Sequence, residues 1–218
     1  MRLLLASFRH PQAFREFLVL AGGRPRVGVI SNAVDFIPAE ARAEYARKVF
    51  DPIAALGELG AQGSDLDLWR FFGREDELGR MLDALDAVWV TGGNAFLLMT
   101  AMRRSGFDRA IRRRLAEEAI TYGGWSAGAV VAGPDLRGME TMDDPEVAAA
   151  DYRAEPGSEA LGLVDFRIVP HFRSAHAETE AAERAAASMA AQGLAYRTLG
   201  DDEALVVRGG AVELRRLV

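Results

Sequence analysis

The chain has 218 residues, half of them hydrophobic and 27% charged, which fits one substantial core and excludes two comfortable domains. Its formal net charge of −6 offers no attraction to nucleic acid or to an anionic membrane, so neither is expected as a partner. It contains no cysteine, which excludes disulfides, thiolate metal sites and cysteine nucleophiles and fits a reducing compartment.

Residues 2–7 are apolar up to a polar break and predict a first strand. This run falls short of the roughly 7–15 apolar residues of a signal peptide, and no stretch approaches the ~20 of a membrane span, so a cytoplasmic protein is expected. Residues 12–20 repeat Phe14, Phe17 and Leu18 at helical spacing and close at Gly22-Gly23-Arg24-Pro25. A second strand is predicted at 27–31, and a helix from Pro38, near its first turn, to Leu56, with Gly57 past its end. Residues 65–69 read as a weaker strand, and 75–85 as a helix carrying Leu78, Met81, Leu82 and Leu85 on one face. The strand at 87–91 has no polar residue before Thr91, so both of its faces must be covered, as in a central parallel strand.

Gly92-Gly93-Asn94 then turns the chain into a helix at 96–104. A further helix, 107–119, leads to a strand at 120–123 and a turn holding Ser126. Residues 133–156 are rich in Gly, Pro and acids and predict an extended surface loop. A strand at 166–169, an Ala-rich helix at 178–192 and a hairpin of 204–207 with 211–217 about Gly209-Gly210 complete the chain. Strand–helix alternation implies βαβ crossovers. The expected fold is therefore a single α/β domain, with a mainly parallel sheet between two helical layers.

Gly124-Trp125-Ser126-Ala127-Gly128, after a strand and before a helix, has the pattern of a nucleophile elbow. The serine of such a turn occupies a strained backbone conformation, and the residues two before and two after it must be small because they pack together. The turn sets Ser126 Oγ at a helix N-terminus, where the amide of Ala127 can face a developing oxyanion. Gly92-Gly93-Asn94 is a candidate second donor, since glycine allows close approach of a backbone amide. It lacks the Lys-Ser/Thr and the third spaced glycine of a phosphate loop.

A serine nucleophile needs a base and a group to orient it. Of the three histidines, His10 lies in the loop after the first strand. His171 follows the strand at 166–169 directly, at the carboxyl end where parallel sheets place their sites, and is the better candidate. His176 reads as a pocket-rim residue. The orienting acid is sought between Ser126 and His171, among Asp135, Glu140, Asp143, Asp144 and Glu146; position alone does not separate Asp143 from Asp144.

Thr91-Gly92-Gly93-Asn94-Ala95-Phe96-Leu97-Leu98, Gly124-Trp125-Ser126-Ala127-Gly128-Ala129 and Val169-Pro170-His171-Phe172 together resemble the serine peptidases typified by α-aspartyl dipeptidase (peptidase E) and cyanophycinase. The resemblance runs over essentially the whole chain. It implies a class I glutamine amidotransferase-like, flavodoxin-like fold, with Ser126 as nucleophile, His171 as base and the amides of Gly93 and Ala127 as oxyanion hole. Thr141-Met142-Asp143-Asp144-Pro145 is the counterpart of the family's Thr-Asn-Asp-x-Pro stretch, and aligning the prolines selects Asp143 as the third member. Asn94, Arg173 and His176 become candidates for substrate binding. The implied substrate is a small peptide, such as an Asp-X dipeptide, handled without metal or organic cofactor by a monomer or homodimer. One departure stands out: Glu178-Thr179-Glu180 falls where aspartyl dipeptidase carries Glu-Thr-Arg, an arginine suited to a substrate carboxylate. An α/β-hydrolase-type esterase and a non-catalytic or regulatory module on the same fold are the alternatives.

Overall fold

The computed structural model describes residues 1–155 and 157–218. Strand β1 (Arg2–Ala6) leads into α1 (Pro11–Ala21), which starts at a proline and ends at Gly22 in the left-handed region. Then follow β2 (Arg26–Ile30), α2 (Ala39–Lys48), α3 (Pro52–Glu58), β3 (Gln62–Asp65) and α4 (Glu75–Asp83). The middle of the chain runs through β4 (Ala87–Val90), α5 (Ala95–Ser105), α6 (Phe107–Ala116), β5 (Thr121–Trp125), α7 (Ala127–Val130) and α8 (Glu146–Tyr152). It closes with β6 (Arg167–Val169), α9 (Thr179–Ala191), β7 (Tyr196–Thr198), β8 (Glu203–Arg208) and β9 (Ala211–Arg216).

The main sheet has the order β3-β2-β4-β5-β1-β8-β9. Its first five strands are parallel, while the terminal hairpin β8–β9 adds antiparallel to β1. β4 and β5 lie at the centre and are buried along their whole length. One face packs Phe14 and Phe17 of α1 on Trp89 and Trp125. The other packs α5, α6 and the segment 127–169 over Leu3, Val88, Val90 and Tyr122. Each fully buried large side chain in these layers contributes about 1.5–3 kcal/mol of transfer free energy.

Three expectations need correction. The helix expected over 38–56 is two helices: Pro52 supplies no amide to continue α2, and the Asp51 carboxylate instead caps α3 at the Ile53 amide (2.8 Å). The weak strand sits at Gln62–Asp65 rather than 65–69, because Asp67 caps a 3₁₀ turn at Leu68–Phe71. The loop expected over 133–156 contains α8, which buries Ala148 and Tyr152 in the core layer that includes α5; its last residue, Pro156, lies outside the described residues. The three-residue strand β7 was not expected at all. It pairs parallel with β6 in a separate ribbon, Val169 opposite Thr198.

Candidate active site

Ser126 connects β5 to α7 with φ 49° and ψ −119°, a region costly for any residue with a Cβ. The conformation is held on both sides. Its amide donates to the carbonyls of Ala6 and Ser7 (both 3.1 Å), and its carbonyl accepts from Ala129 (2.8 Å) and Val130 (2.9 Å). The flanking glycines are a matter of space. A Cβ on Gly124 would stand 2.7 Å from the Val90 carbonyl oxygen and 3.0 Å from the Gly128 backbone, and one on Gly128 would collide with the same Val90 oxygen. The Gly-x-Ser-x-Gly spelling therefore lets β5 and α7 cross tightly over β4.

Two backbone amides lie beside this turn. Gly93 sits at φ 136°, its Cα against the Ala33 carbonyl, where only glycine fits. Ala127 opens α7. Among the described residues neither amide donates to a protein acceptor.

His171 follows β6 through Pro170, also with positive φ (60°), and is 2% exposed. Its Nε2 lies 3.2 Å from Ser126 Oγ. Its Nδ1 lies 2.7 Å from Oδ1 of Asp201, in the turn between β7 and β8. Phe8 meets the ring edge-on, and the His176 ring stacks on it at 3.8 Å and 9°. Burial holds the His171 pKa below the ordinary imidazole value; Asp201 opposes this and His176 reinforces it.

The acid bonded to the histidine's Nδ1 is thus Asp201, outside the segment in which it was sought, while Glu178 Oε2 stands 3.7 Å from Nε2. Asp143 does a different job: its Oδ2 accepts from the Ala95 amide (2.8 Å) at the start of α5. Burial pushes its carboxyl up to about 7, with the Ala95 amide opposing and Glu178 adding to the rise. Asp144 accepts from the Glu146 amide (2.9 Å) and, through its carbonyl, from Asn94 Nδ2 (2.8 Å). Asn94 also caps α5 by accepting from Leu97 (2.9 Å), so its side chain is engaged at both ends. Arg173 points into solvent, stacks its guanidinium on Phe172 and approaches Glu183 (3.6 Å); it does not line the cleft. Glu180 is exposed. His176 does line the cleft, through its stack on His171. His10 caps α1 by accepting from the Gln12 amide.

Ser126 opens into a cleft of about 1580 Å³. Asp35, Asp65, Asp67, Asp143, Asp144 and Glu178 stand in its wall against the cations Arg9 and Arg42, and Arg42 is already paired with Asp35 (2.5 Å). Among the described residues, His171, His176 and Glu178 form the group with ligand atoms close enough for a metal, within 4.8 Å. The two rings stack in parallel, however, so their in-plane lone pairs run side by side instead of converging on one ion. No helix among the described residues is long and apolar enough to cross a membrane.

A mainly parallel α/β sheet carrying a strained serine turn opposite a histidine has the build of a hydrolytic enzyme, and comparison with known proteins names the class. The model of peptidase family S51 matches residues 17–215, and the chain belongs to that family of serine peptidases. It is 32% identical over 168 residues to an uncharacterized peptidase of Listeria monocytogenes, an alignment covering 75% of each protein. It is 36% identical over 152 residues to a peptidase E of Streptomyces coelicolor, covering 66% of this chain and 58% of the relative. A solved structure of a Listeria monocytogenes protein described as a peptidase E superposes with a TM-score of 0.78 at 26% identity, covering 100% of this chain and 98% of the other.

Proposed function

We propose that the chain hydrolyses short peptides with Ser126 as nucleophile, His171 as general base and Asp201 as the orienting acid. The observation that carries this reading is the continuous contact from Ser126 Oγ to His171 Nε2 (3.2 Å) and from His171 Nδ1 to Asp201 (2.7 Å). Ser126 Oγ attacks the scissile carbonyl while Nε2 takes its proton. The amides of Gly93 and Ala127 receive the oxyanion. His171 returns the proton to the leaving amine, and water then hydrolyses the acyl-enzyme by the same route. Asp201 keeps the proton on Nδ1, so that the Nε2 lone pair faces the serine.

The wall of the cleft bears on the substrate. Its carboxylates outnumber its cations. Electrostatics therefore favour short peptides whose first residue is neutral or basic over Asp-X. A panel of dipeptides varied at the first residue, scored by released amine for the wild type and Ser126→Ala, tests this. Hydrolysis that depends on Ser126 and is poorest for Asp-X supports the reading; an Asp-X preference overturns its specificity, and turnover by Ser126→Ala overturns its chemistry.

A further inference from the structure

We infer that Ser7, at the end of β1, is a positioning residue that ties the nucleophile, the base and the acid to one another. Ser7 is fully buried, and nothing in the proposed reaction uses it. Yet it touches all three residues. Its carbonyl accepts from the Ser126 amide (3.1 Å). Its Oγ accepts from the His171 amide (2.7 Å) and lies 3.1 Å from Asp201 Oδ1, the same oxygen that receives His171 Nδ1.

The hydroxyl proton has two candidate acceptors, Asp201 Oδ1 and the Leu199 carbonyl at 3.2 Å. Each oxygen already accepts one bond, Leu199 from the Phe172 amide (3.0 Å) and Asp201 from His171; the charged carboxylate is the stronger acceptor and lies nearer, so the proton goes to Asp201. Ser7 therefore acts in two ways. Accepting from the His171 amide, it holds that residue in its positive-φ backbone, as its carbonyl does for Ser126. Donating to Asp201, it draws charge away from the His171 bond and helps keep the imidazole neutral and ready to act as a base. β1 thus carries no reacting atom, and still fixes where three separate loops meet.

The inference rests on the proposed roles of Ser126, His171 and Asp201, so its test reads the two apart. The probes are the labelling rate of Ser126 by a fluorophosphonate and the titration of the His171 imidazole by ¹⁵N NMR, which needs no turnover and resolves three histidines only. Ser7→Ala should slow labelling about tenfold, because the His171 backbone and the Asp201 carboxylate lose the hydroxyl that positions them, and should raise the His171 midpoint by roughly half a unit, as Asp201 gives its whole bond to the imidazolium. Ser7→Thr and Ser7→Val add the same volume and differ only in the hydroxyl. Thr should titrate near the wild type and Val like Ala, even if both lower thermal stability. Equal titration and labelling in Thr and Val, or a Ser7→Ala midpoint unmoved or lowered, overturns the role of Ser7. A wild type that is not labelled at Ser126 instead overturns the proposed function.

Discussion

Replacing Asp201 by Asn changes one oxygen of the side chain and leaves its size alone. The carboxylate stands 2.7 Å from His171 Nδ1. At that separation, and with an effective dielectric near 20, it stabilises the imidazolium formed during serine attack by about 6 kcal/mol. Asn removes that charge. Its amide also presents an N–H to Nδ1, forcing the proton onto Nε2, where it meets Ser126 Oγ at 3.2 Å in place of a lone pair. Both effects act on the chemical step, so the rate of fluorophosphonate labelling should fall about 10⁴-fold, equivalent to ~5.5 kcal/mol. Asp143→Asn serves as the comparison: the amide oxygen keeps the bond to Ala95, and labelling should stay within about threefold of the wild type. Asp201→Asn labelling near the wild-type rate, with Asp143→Asn abolishing it, would refute the assignment of the acid.

Asp143 also bears on stability. Its carboxyl is raised to about 7 in the folded chain, from 3.8. The protonated form is therefore favoured by folding, and this contribution is full below about pH 4 and lost as pH rises through 7. Asp143→Asn should thus be more stable than the wild type by roughly 4 kcal/mol above pH 7, the advantage fading as pH falls from 7 to 4; denaturant midpoints at pH 8 and pH 4 check it. An advantage independent of pH would contradict the cause. Arg173 and Glu180 are exposed and away from the cleft. Arg173→Ala and Glu180→Ala should each leave kcat/KM on short peptides within about twofold, since surface changes away from a site are small.

How far the sequence revealed the site follows from which residues are local and which are brought in from afar. Ser126 was legible because its constraint is local: the elbow needs Gly124 and Gly128 at fixed offsets, and the crossing over Val90 explains both. His171 was legible because it ends a recognisable apolar strand, β6. Asp201 was not, because the acid was sought between Ser126 and His171 in chain order. The strand that delivers it is three residues long, with only a partly buried face. The signal was present in one form. β6 and β7 pair in parallel with Val169 opposite Thr198, so His171 and Asp201 leave adjacent strands at the same end. Seeing this required recognising β7, and three residues between a Gly-ended helix and a turn carry too little periodicity.

The same contrast holds for the fold. The strands β1, β2, β4 and β5, their mainly parallel sheet and the terminal hairpin were readable from apolar runs and from Gly209-Gly210, while the order in which the strands pair was not. The helix α8 was not, because Gly133, Pro134, Pro145 and the acids around it resemble a loop until Ala148 and Tyr152 find the core layer that includes α5. Asp143 drew attention through its place in a familiar stretch, and its carboxylate caps α5 in a part-buried wall of the cleft.

The central claim is that Ser126 is a nucleophile activated by a buried histidine, and fluorophosphonate labelling followed across pH with the adduct located by mass spectrometry tests it most directly. The base must be neutral to act, and burial holds the His171 pKa below its ordinary value of 6.5. A single adduct on Ser126, absent from Ser126→Ala and lost on acidification only with a midpoint below pH 6.5, is the predicted result. No adduct at any pH, or one on another residue that persists in Ser126→Ala, would contradict it.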